Sequence, residues 1–447
     1  MRQFMAMIKI GFIFPSSHYL FNPFKGDPHT HLQILTVLDQ HFGDKVALSL
    51  IDLRGVDRDL AHYRIQECDI YLHSLYTLDY NEQVSIVTEL RNRFPKAKHI
   101  GGGPHAAVYR EECLRTFDVL VLGDGEESIT RVVNDFMSSG LKRVYEQDNP
   151  IDINRYPYPS WKFLPEATIA RRGMMTLKHK EGYDKLLGTT VVFSRGCPFR
   201  CSYCAMPQMK TLSPGIRYRD PKLVEEEIEY LKRDYGMEGL NVLDEIGIPL
   251  SMEEAVSHLE AIGRTGITWR GQCRVDGVTP DIARLARESG CVAMGLGVES
   301  VSQKALNLVR KQIDAEQART AIRLLKENDI EARIYLIIGL PGEPKDVVEK
   351  TWSFIEETNP DLVILSIFSV RPGTEVFDNP GRFGIKWVST EWDNTMHMFG
   401  RYEEEVPTLT FEYEKSAPWE ESFSNERIIS NYMDLQARLR ECGLSSL

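Results

Sequence analysis

The sequence predicts an α/β protein: a doubly wound parallel sheet, then a partial (β/α)6 barrel, then a small helical tail. Three observations predict it. Short runs rich in Ile, Val and Leu alternate with segments of helical spacing, first over the first 140 residues and again from Thr189. Such alternation produces parallel sheets covered by helices. Glycine-containing loops follow several strands directly, as at Gly101-Gly-Gly and Gly123-Asp-Gly. Finally, Cys197-Pro-Phe-Arg-Cys201-Ser-Tyr-Cys204 stands just behind the first apolar run of the second series, at the strand end where α/β folds place their ligands.

In the first series, Ile8–Phe14 is a strand and His29–Phe42 a helix with Leu32, Leu35 and Leu38 on one face. Val46–Leu53 is a strand, Asp57–Gln66 a short helix and Asp69–His73 a third strand. Helix Asn81–Phe94 follows, then strand Lys98–Gly101, a helix through Glu112 and Leu114, and strand Asp118–Leu122. Gly123-Asp-Gly-Glu-Glu127 opens the last helix. Residues 141–188 carry Tyr156-Pro-Tyr-Pro-Ser160 and scattered charge, which reads as a linker.

The second series predicts strands Thr190–Ser194, Gly239–Leu243, Ile267–Cys273, Val292–Gly297, Ala332–Ile338 and Leu362–Phe368. Asp220 caps the helix of Val224, Ile228 and Leu231, with Pro221 at its first position, and Gly236 ends it. Residues 385–447 form a tail with Trp387, Trp392 and Trp419 and a final helix from Asn425 to Cys442.

Composition narrows the function. Apolar content of 42% and charged content of 26% are those of a globular chain. A net charge of −12 argues against a broad nucleic-acid or anionic-membrane footprint. No run of about 18 apolar residues occurs, so no membrane span is expected. Eight cysteines in this length make no disulfide framework, and Cys68, Cys113, Cys273, Cys291 and Cys442 read as mostly buried. A reducing cytoplasm fits these features.

Three thiols at C-x-x-x-C-x-x-C spacing suit a soft metal centre. Zinc sites usually pair two half-sites, and this chain has no second one. A cubane iron–sulfur cluster held by three thiolates leaves one iron open to a ligand. With Tyr203 just before the third cysteine, the motif resembles that of radical S-adenosylmethionine (SAM) enzymes. Gly102-Gly-Pro-His105 and Gly123-Asp-Gly-Glu126 are similar to loops of the cobalamin-binding subgroup. The resemblance covers residues 5–380. It implies a Rossmann-like cobalamin-binding domain at 1–140, a linker at 141–188, a radical SAM partial barrel at 189–384 and an extension at 385–447.

It also implies the cofactors: a [4Fe-4S] cluster on Cys197, Cys201 and Cys204, SAM, and cobalamin. Ser74, Leu75 and Tyr76 are expected beside the corrin, with Tyr76 or Leu75 nearest the metal. Gly102, Gly103, His105, Gly123 and Glu126 complete that set. Ser194, Glu299, Arg333, Gly339 and Gly342 are the expected SAM contacts, with Arg274, Asp244 and Glu245 as weaker candidates. Asp27-Pro-His29 starts the D-x-H-x-x-G string of domains that ligate cobalt through histidine, but Leu32 replaces the glycine. No histidine on cobalt is therefore expected, with His29 and His31 exposed at a helix start.

The implied activity is methylation of an unactivated carbon, with a peptide or protein residue, such as one in methyl-coenzyme M reductase, as a substrate class. A radical rearrangement or cyclisation, with or without cobalamin, is the alternative within the family. A cluster-based redox sensor is the alternative outside it, and it would need no SAM pocket. A flavodoxin- or ferredoxin-type electron donor is the implied partner.

Overall fold

The computed structural model describes residues 7–18, 20, 22–25, 27–147, 149–169, 186–205, 215–392 and 407–445. They form two compact units.

The first unit is a six-stranded sheet in the order β2-β1-β3-β4-β5-β6, every pairing parallel. Its strands are β1 (Ile8–Phe14), β2 (Val46–Asp52), β3 (Ile70–Ser74), β4 (Lys98–Gly102), β5 (Val119–Leu122) and β6 (Val144–Glu146). Helices α1 (His29–Phe42), α2 (Tyr80–Arg93), α3 (Pro104–Val108), α4 (Arg110–Thr116) and α5 (Gly125–Met137) connect them. Side chains alternate across a strand, and the two cores follow that period. Ile8, Ile10, Phe12, Ile70 and Leu72 pack with Leu35 and Leu38 of α1 and Val132 of α5. Ile13 and Tyr71 turn the other way, onto Ile86 and Leu90 of α2. Each such side chain, fully buried, contributes about 1.5–3 kcal/mol.

Three details depart from the sequence reading. Residues 57–66 hold only a 3-10 turn at Ala61–Arg64. Leu60 and Tyr63 stay exposed there, so no apolar stripe supports a full helix. The stretch read as a linker supplies β6 and helix α6 (Glu166–Ile169), and its described residues up to Ile169 group with this unit. Tyr145 carries the difference: buried, it donates from its hydroxyl to Asp135 of α5 at 2.7 Å. Residues 170–185 lie outside the described set. His31 is 3% exposed rather than free at a helix start. Its ring lies 4.2 Å from that of Phe12 and 4.6 Å from that of Phe14. Burial lowers its pKa to about 3, so it stays neutral.

The second unit is built on the parallel sheet β7-β10-β11-β12-β13-β14. These are β7 (Gly188–Val191), β10 (Gly239–Val242), β11 (Thr268–Cys273), β12 (Cys291–Glu299), β13 (Glu331–Ile338) and β14 (Leu362–Ile367). Between β7 and β10 lies an antiparallel hairpin of β8 (Ser194–Gly196) and β9 (Ile216–Tyr218). The outer helices are α7 (Pro221–Tyr235), α8 (Met252–Arg264), α9 (Pro280–Glu288), α10 (Gln303–Leu308), α11 (Ala315–Glu327) and α12 (Val347–Thr358). The Asp220 side chain accepts from Lys222 N–H, Pro221 holds the first position, and Gly236 ends α7 at φ 65°, as the sequence predicts.

The tail is more than a helix. A short helix α13 (Glu375–Asp378) precedes the antiparallel pair β15 (Ile385–Val388) and β16 (Phe411–Tyr413). Helix α14 (Asn425–Glu441) buries Ile428, Leu435 and Leu439. Beyond it, the Leu444 carbonyl accepts from Val363 N–H of β14 at 2.9 Å, covering an edge strand that would otherwise expose unpaired backbone. No helix among the described residues is long and apolar enough to cross a membrane.

Candidate active site

The three cysteines occupy the loop after β8. The Cys204 N–H donates to the Cys201 carbonyl at 3.1 Å, which folds the loop into a turn. The adjoining Ser202 is fixed from two sides: its N–H donates to Val309, and its carbonyl accepts from Val376. Cys201 is buried, while Cys197 and Cys204 are partly exposed. Among the described residues, no three His, Cys, Asp or Glu side chains are gathered at metal-binding geometry. The donor set and its field nevertheless suit a metal cluster. Burial raises the Cys201 pKa, and the Lys311 and Arg274 charges pull it back down. Cations of this kind favour the thiolate that binds metal.

Arg274 supports the loop. Its guanidinium lies 3.6 Å from the ring centre of Phe199, between the first two cysteines. It donates to both Asp276 oxygens at 2.9 and 2.8 Å and to the Lys311 carbonyl at 3.1 Å. Arg310 and Gln312, flanking Lys311, take positive φ of 55°. Backbone strain of that kind persists only where the surroundings enforce it.

Glu299 ends β12 at a register shift against β13, between Gly297 and Glu299, and takes φ 65°. A bulge of this sort re-aims a side chain. The Glu299 carboxylate accepts from Lys311 Nζ at 2.7 Å, the two side chains 12% and 8% exposed. Burial above all raises the Tyr203 phenol's pKa, and the Glu299 charge raises it further. A Cβ on Gly297 would stand 2.8 Å from Glu299 Oε1 and 2.9 Å from Lys311 Nζ, so the bare glycine makes room for the pair. The Glu299–Lys311 pair ties the end of the fourth barrel strand to the loop that also holds Arg274 through the Lys311 carbonyl. Sequence reading found Glu299 but missed Lys311, because no spacing rule links residues 12 apart across a loop.

The other expected SAM contacts separate. Ser194 is buried on β8. Asp244 accepts from Phe193 N–H at 2.7 Å, and burial raises its pKa to about 7; it staples β7 to β10. Arg333 is turned inward by an ion pair with Glu331 at 2.7 Å, both buried. Gly339 and Gly342 serve packing. A Cβ on Gly339 would meet Ile428 of α14 at 2.9 Å, and one on Gly342 would meet Leu308 of α10 at 2.3 Å. The turn closes on itself as Gly339 N–H donates to Glu343 at 2.8 Å.

In the first unit, the ends of β3, β4 and β5 lie side by side. Leu75 is fully buried, held by its N–H to Gly102 and its carbonyl to His105. It therefore belongs to the core and not beside a ligand. Gly103, at φ 108°, has the Leu75 backbone 3.1 Å from its Cβ direction, which only glycine tolerates without strain. Tyr76, by contrast, is 51% exposed. Ser74 and Glu126 are buried, and Gly123 takes φ 100°. His105 is also buried, its ring 4.1 Å from that of Tyr80 and 5.5 Å from that of Trp392. Trp392 lies far off in sequence, yet it groups with this unit and donates from Nε1 to Glu112 at 3.2 Å.

With this geometry in view, the comparisons with known proteins decide the family of the barrel. Residues 191–355 match the radical SAM superfamily. The chain carries a radical SAM domain. It is 28% identical over 309 residues to an anaerobic magnesium-protoporphyrin IX monomethyl ester cyclase of Cereibacter sphaeroides, spanning 63% of this chain and 48% of that protein. It is 21% identical to a bacteriochlorophyllide d C-8(2)-methyltransferase of Chlorobaculum tepidum, over 90% of this chain and 84% of that one. Among solved structures, the radical SAM methyltransferase TsrM from Kitasatospora setae, with cobalamin and a [4Fe-4S] cluster bound, superposes at a TM-score of 0.65. That likeness, at 17% identity, covers 85% of this chain and 79% of that one, and it establishes the shared fold.

Proposed function

We propose that this chain is a cobalamin-dependent radical SAM C-methyltransferase. The observation that carries the reading is the Cys197–Cys204 loop, fixed at the strand ends of the six-stranded half-barrel, in a chain whose first unit is a parallel-sheet domain. The cluster fits Cys197, Cys201 and Cys204, and when bound it supplies the electron that splits SAM, with cobalamin carrying the methyl group. Lys311 and Arg274 stabilise the thiolates. Arg274 and Phe199 hold the loop in place, and the Glu299–Lys311 pair fixes the wall beside it. In the first unit, exposed Tyr76 stands at the end of β3 next to the bare loops Gly102–Gly103 and Gly123. A ledge without bulky side chains suits a broad planar cofactor, and His31 and His105 are both packed in aromatic surroundings.

A second reading, ring closure without net methyl transfer, is favoured by the 28% identity to a cyclase. The relatives' names point to tetrapyrroles, and a peptide or protein residue remains the other substrate class. An electron donor of flavodoxin or ferredoxin type completes the system.

Anaerobic reconstitution with iron, sulfide and hydroxocobalamin tests the reading. Wild type should hold about four irons and one corrinoid per chain and form 5′-deoxyadenosine from SAM under dithionite. Cys201→Ala should lose the iron and all SAM cleavage. Full iron and turnover in that variant would overturn the reading. Transfer of labelled methyl from SAM to the bound corrinoid separates methylation from cyclisation.

A further inference from the structure

Parallel sheets are normally buried on both faces, yet the barrel sheet is open along part of one. In β13, Ile334, Leu336 and Ile338 are buried while Tyr335 and Ile337 between them are partly exposed. On the neighbouring strands the partly exposed residues are Gly297 and Glu299 of β12 and Ser366 of β14.

Register brings these openings together. Gly297 pairs with Tyr335, and Ile337 with Ser366. Paired residues point to the same side of a sheet, and residues two apart share a face. A Cβ on Gly295 would stand 2.5 Å from Tyr335 Cε2 and 2.7 Å from its hydroxyl oxygen, so the ring lies across that glycine. A Cβ on Gly297, two residues on, would meet the Glu299–Lys311 pair. Tyr335 and Ser366 therefore share the face of that pair.

The open face is a cleft with a floor and a wall. Arg333, level with Gly295, is held by Glu331 at 2.7 Å, and this buried ion pair closes the cleft below. Gln272, also level with Gly295, donates to the Asp244 carbonyl at 3.1 Å. Two groups remain uncommitted. Among the described residues neither the Tyr335 nor the Ser366 hydroxyl has a hydrogen-bond partner, and neither oxygen is sealed from the cleft. Burial above all raises the Tyr335 pKa, so the phenol keeps its proton and can donate.

We propose that Tyr335 and Ser366 orient the substrate by donating hydrogen bonds to its carbonyl or carboxylate oxygens inside the half-barrel. Resting on the radical SAM reading, this names the substrate groups that the barrel interior recognises. Both donors are neutral, so they suit acceptor oxygens of a substrate better than the charged ends of SAM.

The experiment uses reconstituted protein at matched iron content and compares wild type, Tyr335→Phe and Ser366→Ala. Tyr335→Phe keeps the ring over Gly295 and removes only the hydroxyl. SAM-loaded protein is titrated with two carbonyl-bearing probes, one for each substrate class: magnesium-protoporphyrin IX monomethyl ester and N-acetylalanine amide. One of them should bind wild type and bind each variant about three- to tenfold more weakly, the effect of one neutral hydrogen bond. SAM affinity should be the same in all three proteins. Failure of both probes to bind wild type, or equal affinity in wild type and both variants, would overturn the proposal. An equal loss of SAM affinity in Tyr335→Phe would overturn it too, since the phenol would then serve the cofactor. Wild-type formation of 5′-deoxyadenosine, measured without either probe, shows separately whether the radical SAM reading stands.

Discussion

Removing one charge of the Glu299–Lys311 pair should destabilise the barrel far more than an exposed ion pair would. The contact is 2.7 Å long between side chains 12% and 8% exposed. Exposed pairs contribute about 0–1 kcal/mol, whereas deleting one partner of a buried pair costs about 3–5 kcal/mol, because a charge is left in a poor solvent. Glu299→Gln keeps the shape and can still accept a hydrogen bond, so the lower end, about 3 kcal/mol, applies. Lys311→Met leaves the carboxylate without its cation and should cost about as much. The double variant removes both charges, so its loss should fall short of the sum by about 2 kcal/mol or more. For a unit of a few hundred residues, 1 kcal/mol moves Tm by about 2–4 °C, so each single change should lower Tm by about 6–12 °C. Calorimetry of the four proteins at matched iron content measures it. Single losses below about 2 °C that simply add would refute the reasoning, since the pair would then behave as a solvated one.

Two further outcomes are expected. Gly342→Ala places a Cβ 2.3 Å from Leu308 Cδ1 at a φ of 79°, so clash and backbone strain together should cost about 2–4 kcal/mol; an unchanged melting temperature would contradict this. The second concerns pH. His73 and His99 are buried on adjacent strands, 3.2 Å apart, with His73 also 2.7 Å from Gln83. Burial lowers their pKa values to about 3 and 4. The Arg91 and Lys98 charges lower His99 further, while Asp118 opposes the shift at His73. Folded values below the unfolded 6.5 mean that this stabilisation is present above pH 6.5 and lost as pH falls through 4 and 3. Well below 6.5 each histidine should withdraw about 1.4 kcal/mol per pH unit. His99→Phe, which keeps a ring against Tyr71, should take about 1.4 kcal/mol per pH unit off the measured slope in a series of melting curves. An identical slope in wild type and variant would exclude the pair as its source.

Much of the fold was legible because periodicity reports burial. The helix at His29–Phe42 and the six barrel strands appear where apolar spacing put them, with no end moved by more than three residues. What the spacing could not report was which residues distant in sequence would meet. Val144–Glu146 is too short to announce a strand, and it is one because β5 offers an open edge. Glu299 and the cysteines were legible as strand-end and motif residues. Lys311 was not, since its importance comes from the loop that surrounds it and not from any pattern of its own. Leu75 and Arg333 were misplaced for the opposite reason. Each sits at a suggestive position, yet one side chain fills the core and the other answers a neighbouring glutamate.

Trp392 carries a consequence for how this chain can be made and divided. The aromatic group of Tyr80, His105 and Tyr109 on the first unit is covered by a side chain encoded almost 250 residues after that unit's last strand. At about 5–20 residues per second, a ribosome would present the unfinished face for tens of seconds before its cover emerges. The sheet domain is thus continuous in space and discontinuous along the gene. Cutting the chain anywhere before residue 392 would yield a fragment with an uncovered aromatic surface, and grafting this domain onto another barrel would require carrying its distant cover along.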